Sequence, residues 1–253
     1  MGASYSTNEA MLMARGYWAR LLDGDDIIGY KSTAKMLRLA KQKKEEFVYG
    51  LIHESKVVNK KSNNFNYVLQ SKNEGLAKFI RNCPANSSCI LLSVKRFFIS
   101  GGCDESFVSP DQILFLRLFS SGKGVFLKEL VARMPKNQPS GSLSTQIRRS
   151  RYESILALIK FCEENKHIDK SLKKLAFKRA LSRAHNYNMT LNNRFISVHF
   201  IHYILSKFYF PKNYINLMYK SLRVFTKKGY VRNKNWRTGF EKKLTYKVQL
   251  REY

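Results

Sequence analysis

The chain has 253 residues and carries 46 Lys and Arg against 18 Asp and Glu, a formal net charge of +28. With 44% hydrophobic and 13% aromatic residues it can build cores, which excludes a disordered basic tail. Thirteen Gly and five Pro exclude collagen-like and proline-rich chains.

No run approaches the roughly eighteen uncharged apolar residues of a membrane span, and no signal-peptide core opens the chain. A cytoplasmic protein with no membrane partner is expected. Met1-Gly2-Ala3-Ser4-Tyr5-Ser6 matches the loose myristoylation pattern, a short one that is common by chance. Cys83, Cys89, Cys103 and Cys162 read as reduced thiols, because their spacing is not that of a zinc site. Neither a metal nor a cofactor is expected.

In chain order, Thr7 to Leu22 reads as a helix, with Met11, Ala14, Trp18 and Leu21 at helical spacing. Asp23-Gly24-Asp25-Asp26 is a turn, and Ser32 to Glu46 a second helix. Phe47 to Ile52 is a strand, with Lys56–Val58 as a candidate hairpin partner and Asn59 to Asn66 a polar loop. Asn73 to Arg81 suits a short helix capped by Ser71 or Asn73, stopped at Cys83-Pro84. Ile90 to Ile99 is the strongest strand of the first half, ended by Gly101-Gly102.

Ser109-Pro110-Asp111 opens a helix to about Phe119, with Pro110 at a favourable first position. Phe126 to Met134 reads as a short helix and Pro135 to Ser142 as a linker. Ser144 to Glu164, Leu172 to His185 and Ile196 to Phe208 are helices. Pro211 enters another that ends at Gly229, and Leu244 to Leu250 alternates as a strand. The fold class is α+β. A mixed antiparallel sheet and helix domain (1–105) leads through a helical connector (106–140) to a basic, mainly helical domain (141–253). Helix, helix, then a basic hairpin resembles a winged-helix module.

Charge is uneven along the chain. Residues 1–126 hold 18 basic and 11 acidic residues, whereas 127–253 hold 28 and 7. Such asymmetry points to a polyanion-facing C-terminal part. Asn213, Asn216, Lys220, Arg223 and Lys227 fall at spacings of three and four on one helix face, with Arg232 beyond it. Asn and Arg suit base edges, and Lys suits phosphates. Arg148, Arg149 and Arg151 crowd the start of a helix, where they oppose its dipole unless an anion is near. Lys174, Lys178, Arg179 and Arg183 flank an apolar helical stripe, and Lys95-Arg96 lies beside Phe97-Phe98 on the predicted strand. All of these are candidate nucleic-acid contacts.

Metal-dependent catalysis would draw on Asp23, Asp25 and Asp26, or on Asp104, Glu105 and Asp111. The first set reads more simply as turn formers. A metal-independent ribonuclease needs only a His with a Lys or Tyr, so His53, His167 and His185 stay as candidates. No Walker loop, dinucleotide fingerprint or His-Glu-x-x-His motif is present. No catalytic residue is assigned.

Phe47-Val48-Tyr49-Gly50-Leu51-Ile52, then a helix ending Ala77-Lys78-Phe79-Ile80-Arg81-Asn82-Cys83-Pro84, then Ser88-Cys89-Ile90-Leu91-Leu92-Ser93-Val94-Lys95-Arg96 form one pattern. Over residues 45–105 it resembles the compact Cascade-type large subunit of type IV CRISPR effector complexes. The resemblance implies a non-cleaving subunit that holds guide RNA and reads the flank of a DNA target. Lys95 and Arg96 would then lie near nucleic acid, and other subunits of a ribonucleoprotein complex would be partners. The Cys-x-x-Cys zinc pairs of that family have no counterpart here. The expected function is therefore non-enzymatic nucleic-acid binding in an RNA-guided DNA-surveillance complex. The alternatives are a stand-alone winged-helix regulator or plasmid or phage replication initiator, and a metal-independent RNA-processing enzyme.

Overall fold

The structure, a computed structural model, describes residues 2–52, 65–134, 146–192 and 196–225. The order begins α1 (Ala3–Met13), β1 (Trp18–Arg20), β2 (Ile27–Ile28), α2 (Ser32–Lys43), β3 (Phe47–Leu51), β4 (Tyr67–Gln70) and α3 (Lys72–Arg81). A 3-10 turn at Ser87–Cys89 leads into β5 (Ile90–Ser93), α4 (Val94–Ile99), α5 (Asp111–Ser120), β6 (Gly124–Leu130) and β7 (Ala132–Arg133). The last part is helical: α6 (Ile147–Glu164), α7 (Lys170–Asn192), α8 (Val198–Phe208), α9 (Tyr214–Ser221) and a 3-10 turn at Leu222–Phe225.

The α+β class holds, but the sheet is mixed rather than antiparallel. Its five strands run β1-β5-β3-β6-β4, and β2 pairs with β7 in a separate two-stranded ribbon. β3 lies parallel to β6, with Val48 opposite Val125 and Tyr49 opposite Phe126, and antiparallel to β5. Phe47, Val48 and Tyr49 are fully buried, as befits a central strand covered on both faces.

Alternation along β3 sends Phe47 and Tyr49 to one face, where α3 and α5 supply rings. Phe79 stacks on Phe115 at 4.3 Å, Tyr49 stacks on Phe126 at 4.9 Å, and Phe47 meets Phe119 edge-on at 5.0 Å. Each such ring contributes on the order of 1.5–3 kcal/mol by leaving water. α3 comes so close that a Cβ at Gly75 would sit 2.0 Å from the Phe119 ring, so no larger residue fits. The Tyr49 hydroxyl donates to Gln70 Oε1 at 2.6 Å, which satisfies its one buried polar atom. α3 begins as the sequence predicts: Ser71 and Glu74 form a capping box.

Four local expectations are corrected. The helix predicted for Thr7 to Leu22 stops at Met13, and Trp18–Arg20 becomes an edge strand on β5. Ile90 to Ile99 is a strand only to Ser93, whose side chain caps α4 by accepting from Arg96 N at 2.9 Å. Phe126 to Met134 is β-structure, not helix: β6 fills the slot between β3 and β4 and satisfies both ladders. The helix after Pro211 is interrupted, because α9 tightens into a 3-10 turn at Leu222. The predicted Lys56–Val58 hairpin arm, the Pro135 to Ser142 linker and the Leu244 to Leu250 strand lie outside the described residues.

Past the sheet, α6 packs on α5 and α7, while α7 also packs on α3, α8 and α9. Arg117 on α5 joins these layers by pairing with Glu164 on α6 at 2.5 Å and Asp104 at 3.3 Å. Lys160 pairs with the same Asp104 at 3.0 Å. No helix among the described residues is long and apolar enough to cross a membrane.

Candidate active site

Three segments far apart in sequence meet at one end of the sheet. The first is the Asp23–Asp26 turn. Its leading arm is held by β1 on β5 and by Leu21 N donating to Ile90 O at 3.3 Å. Its trailing arm is held by β2 on β7 and by Gly29 N donating to Val131 O at 2.9 Å. The second segment is Asn86–Ser88, just before β5. The third is the loop from Gly102 to Pro110 that delivers Asp111 to the first turn of α5. α1 anchors that loop: Asn8 exchanges hydrogen bonds with Cys103 at 2.9 Å each way, and Ser4 Oγ donates to Phe107 O at 2.8 Å.

Ser87 is the junction. Its Oγ lies 3.0 Å from both carboxylate oxygens of Asp23 and 3.0 Å from Asp111 Oδ1, while its backbone N–H donates to Asp111 Oδ1 at 2.8 Å. Ser109 Oγ donates to Asp111 Oδ2 at 3.2 Å, Asn86 Nδ2 to Asp26 Oδ2 at 2.9 Å, and Asp23 N to Ser88 Oγ at 2.9 Å. A serine hydroxyl has one hydrogen to donate, so it cannot serve two ionised carboxylates at once. Burial pushes Asp23 up to about 6, with negative Asp111 next in effect and Asp26 and Asp25 adding, against the lowering bond from Ser87. Burial likewise raises Asp111, opposed by its bonds from Ser87 and Ser109. Both shifts raise the proton affinity of the pair above that of solvated carboxylates, a condition suited to proton transfer.

Behind the loop, the buried Glu153 carboxylate accepts from Val108 N at 3.1 Å and Ser109 N at 3.0 Å, and Arg149 Nε donates to it at 3.0 Å. Asp23, Asp25, Asp26, Ser87, Asp111 and Arg149 line one cavity of about 490 Å³.

The candidate nucleic-acid residues sit elsewhere, Arg149 excepted. Lys95 is exposed on α4, but Arg96 turns inward, donating to Leu118 O at 3.0 Å beside Glu46. Arg148 donates to Phe225 O at 2.8 Å, and Arg151 is exposed. On α7, Lys174 and Lys178 are half-buried, Arg179 donates to Asn82 Oδ1 at 2.6 Å, and Arg183 is buried on Gln112 Oε1 and Ser154 O. Asn213, Asn216, Lys220 and Arg223 are exposed, with Arg223 in the 3-10 turn that follows α9. Lys227 and Arg232 lie outside the described residues. Of the ribonuclease candidates, His185 stacks on Tyr203 at 5.3 Å, His167 is exposed and His53 is not described.

The acids regroup relative to the sequence reading. Asp111 leaves Asp104 and Glu105 to join the Asp23 turn, whereas Asp104 is consumed by Arg117 and Lys160. Ser87 and Glu153 carried no signal in the sequence. The acidic turn did carry one: three carboxylates in four residues after an apolar segment exceed what a turn needs.

The mixed five-stranded sheet and the helices that follow it give the chain an α+β architecture. Among solved structures it is similar to S. aureus TarS 1–349 in complex with UDP-GlcNAc, with a TM-score of 0.57 and 12% identity over 98% of this chain and 69% of that one. It is also similar to TarS 1–349 in a second structure (0.52, 11%, 95% and 70%) and to a longer TarS structure (0.53, 13%, 95%), of which it spans 42%. No protein-family model matches the chain, and no curated protein sequence matches it.

This likeness overturns the resemblance to the type IV CRISPR large subunit, since residues 45–105 belong to a TarS-like fold that takes in nearly the whole chain. It also overturns the non-enzymatic nucleic-acid reading and its alternatives, together with the RNA, DNA and ribonucleoprotein partners. The physical reason is visible in the side chains. Arg96 and Arg183 are spent on internal carbonyls, while the paired acids line a cavity.

Proposed function

We propose that the protein transfers a sugar from a nucleoside diphosphate donor to a hydroxyl acceptor. The observation that carries this reading is the joining of Asp23 and Asp111 through one Ser87 hydroxyl on the wall of the 490 Å³ cavity. The fold shared with a UDP-GlcNAc-bound protein supports the donor class.

Asp111 is the general base. Burial makes its carboxylate more basic than a solvated one, and it sits at the cavity wall where an acceptor hydroxyl can reach it. Ser87 and Ser109 fix its two oxygens, so its free lone pairs point in a set direction. The acid turn faces the same cavity. Asp23, Asp25 and Asp26 offer hard oxygen donors; burial raises Asp23 most, and the like-charge crowding that adds to it is what a divalent cation relieves. Among the described residues no group of three His, Cys, Asp or Glu forms a protein-only cage. That suits a magnesium-type site, which takes one or two carboxylates and completes itself with substrate phosphates. Asp23 and Asp25 would hold the ion, which would neutralise charge on the departing nucleotide. Arg149 adds a fixed cation on the same wall. The four free thiols support work in a reducing compartment, the cytoplasm.

Calorimetric titration with UDP-GlcNAc, with and without Mg²⁺ or Mn²⁺, tests this. Saturable cation-dependent binding that is lost in Asp25→Asn is the expected result. Absence of binding, together with absence of UDP release from any UDP-sugar, would overturn it.

A further inference from the structure

A second cavity, of about 420 Å³, adjoins the first and shares Asn86, Ser109, Asp111, Met134, Ser150 and Glu153 with it. The two differ in chemistry. The first carries the Asp23–Asp26 turn and Arg149. The second adds Ile52, Pro84, Ala85, Phe107, Ile113 and Ala157, and among the described residues neither Lys nor Arg lines it. The charged residues among its described lining, Asp111 and Glu153, are both acids. Glu153 is neutralised by Arg149 at 3.0 Å, which leaves the Asp111 carboxylate as the charge an entering anion would meet in a partly dehydrated space, an arrangement that electrostatics disfavours.

Asn86 stands between the two spaces. Its amide nitrogen is committed to Asp26, but its carbonyl oxygen is buried without a hydrogen-bond partner. A buried acceptor left unpaired costs free energy that a ligand O–H or N–H donor would recover.

We infer that this second cavity is the acceptor subsite and that it takes an uncharged hydroxylated molecule with an apolar face, despite the net charge of the whole chain. The inference rests on the glycosyl-transfer reading above. The acceptor's apolar face lies against Phe107, Ile113 and Ala157, one donor group bonds Asn86 Oδ1, and one hydroxyl reaches Asp111. In the transfer, that hydroxyl oxygen bonds the sugar's anomeric carbon as its proton passes to Asp111. The bond from the anomeric carbon to the diphosphate oxygen breaks, and the nucleoside diphosphate leaves with that electron pair.

The test separates donor chemistry from acceptor binding. With UDP-GlcNAc as donor, wild-type protein should glycosylate octyl β-glucoside in preference to the anionic glucose 6-phosphate. Ala157→Phe, which fills the cavity from α6, should lower transfer about tenfold or more while UDP-GlcNAc hydrolysis stays within about twofold. Ala157→Leu is the milder filler should the phenylalanine variant fail to fold.

A second readout needs no donor. Cys83 lines this cavity and is the half-buried member among four thiols whose other three are buried. Octyl β-glucoside below its micellar concentration should slow modification of Cys83 by methyl methanethiosulfonate, and glucose 6-phosphate should not. Unchanged transfer by both fillers, preference for the anionic acceptor, or equal Cys83 protection by both compounds would overturn the assignment. Protection by the glucoside without UDP-GlcNAc binding or hydrolysis would instead overturn the glycosyl-transfer reading and leave a neutral-ligand cavity standing.

Discussion

The sheet end of the molecule and its helical end use charge in opposite ways. Around the sheet, several acids are buried and held by specific partners. Asp23 and Asp111 share Ser87, Glu153 holds the loop, and Asp104 neutralises Arg117. Across α7 to α9, bases are many; Lys220 and Arg223 are exposed, Lys174 and Lys178 half-buried, and Arg183 is tied to an internal carbonyl. Chemistry follows the scarce, desolvated charges rather than the abundant ones. A charge in water is screened and interchangeable, whereas a half-buried one has a shifted proton affinity and a single geometry.

The sharpest way to break this comparison is Asp111→Asn. The amide keeps the shape and most hydrogen bonds but cannot take a proton. Transfer should fall by about 10²–10⁴ with the melting temperature little changed. A variant that melts normally and transfers at the wild-type rate would remove Asp111 from the mechanism.

Arg117→Met probes an acid in the same region that is structural. It removes the Arg117 guanidinium from Glu164, while Lys160 still pairs with Asp104. A loss of about 3 kcal/mol in denaturant unfolding is expected, the low end for breaking a buried pair.

Asp23→Asn has a smaller effect with a diagnostic pH dependence. The folded carboxyl is raised from 3.8 to about 6, so between those values the folded chain binds more protons than the unfolded chain, and stability falls as pH rises. Removing the acid should therefore stabilise the protein above pH 6, by about 1–2 kcal/mol once solvent screening of this half-buried group is counted. The gain should vanish near pH 4. Melting curves of both proteins from pH 4 to 8 check it, and donor binding should be lost in the same variant. Asp23 thus sharpens the contrast: an acid that costs stability sits where the proposed donor site would use it.

The smallest effects belong to the helical end. Lys220→Ala and Arg223→Ala should each change stability by less than about 0.5 kcal/mol and leave transfer unchanged. A large loss of activity in either would place part of the site on α9.

Much of the secondary structure was legible in the sequence because it is local. The Ser71–Glu74 box starts α3, Pro110 starts α5, and the apolar period of 144–164 yields α6. All of these signals act within one or two turns of chain. The site was only half legible. The acidic turn and Asp111 both stood out as candidate carboxylates, but chain order grouped Asp111 with Asp104.

The amino-acid sequence by itself determined the helices with caps and periodic faces, the buried strand β3, and the pool of acids from which a site can be made. Tertiary structure decided the rest. Gly124–Leu130 is a strand because β3 and β4 leave a slot whose backbone groups must be paired. Arg96 and Arg183 point inward because buried carbonyls accept from them. Asp23 meets Asp111 because β1, β5 and α5 end at the same edge of the sheet, and long-range pairing of that kind leaves no trace in local periodicity.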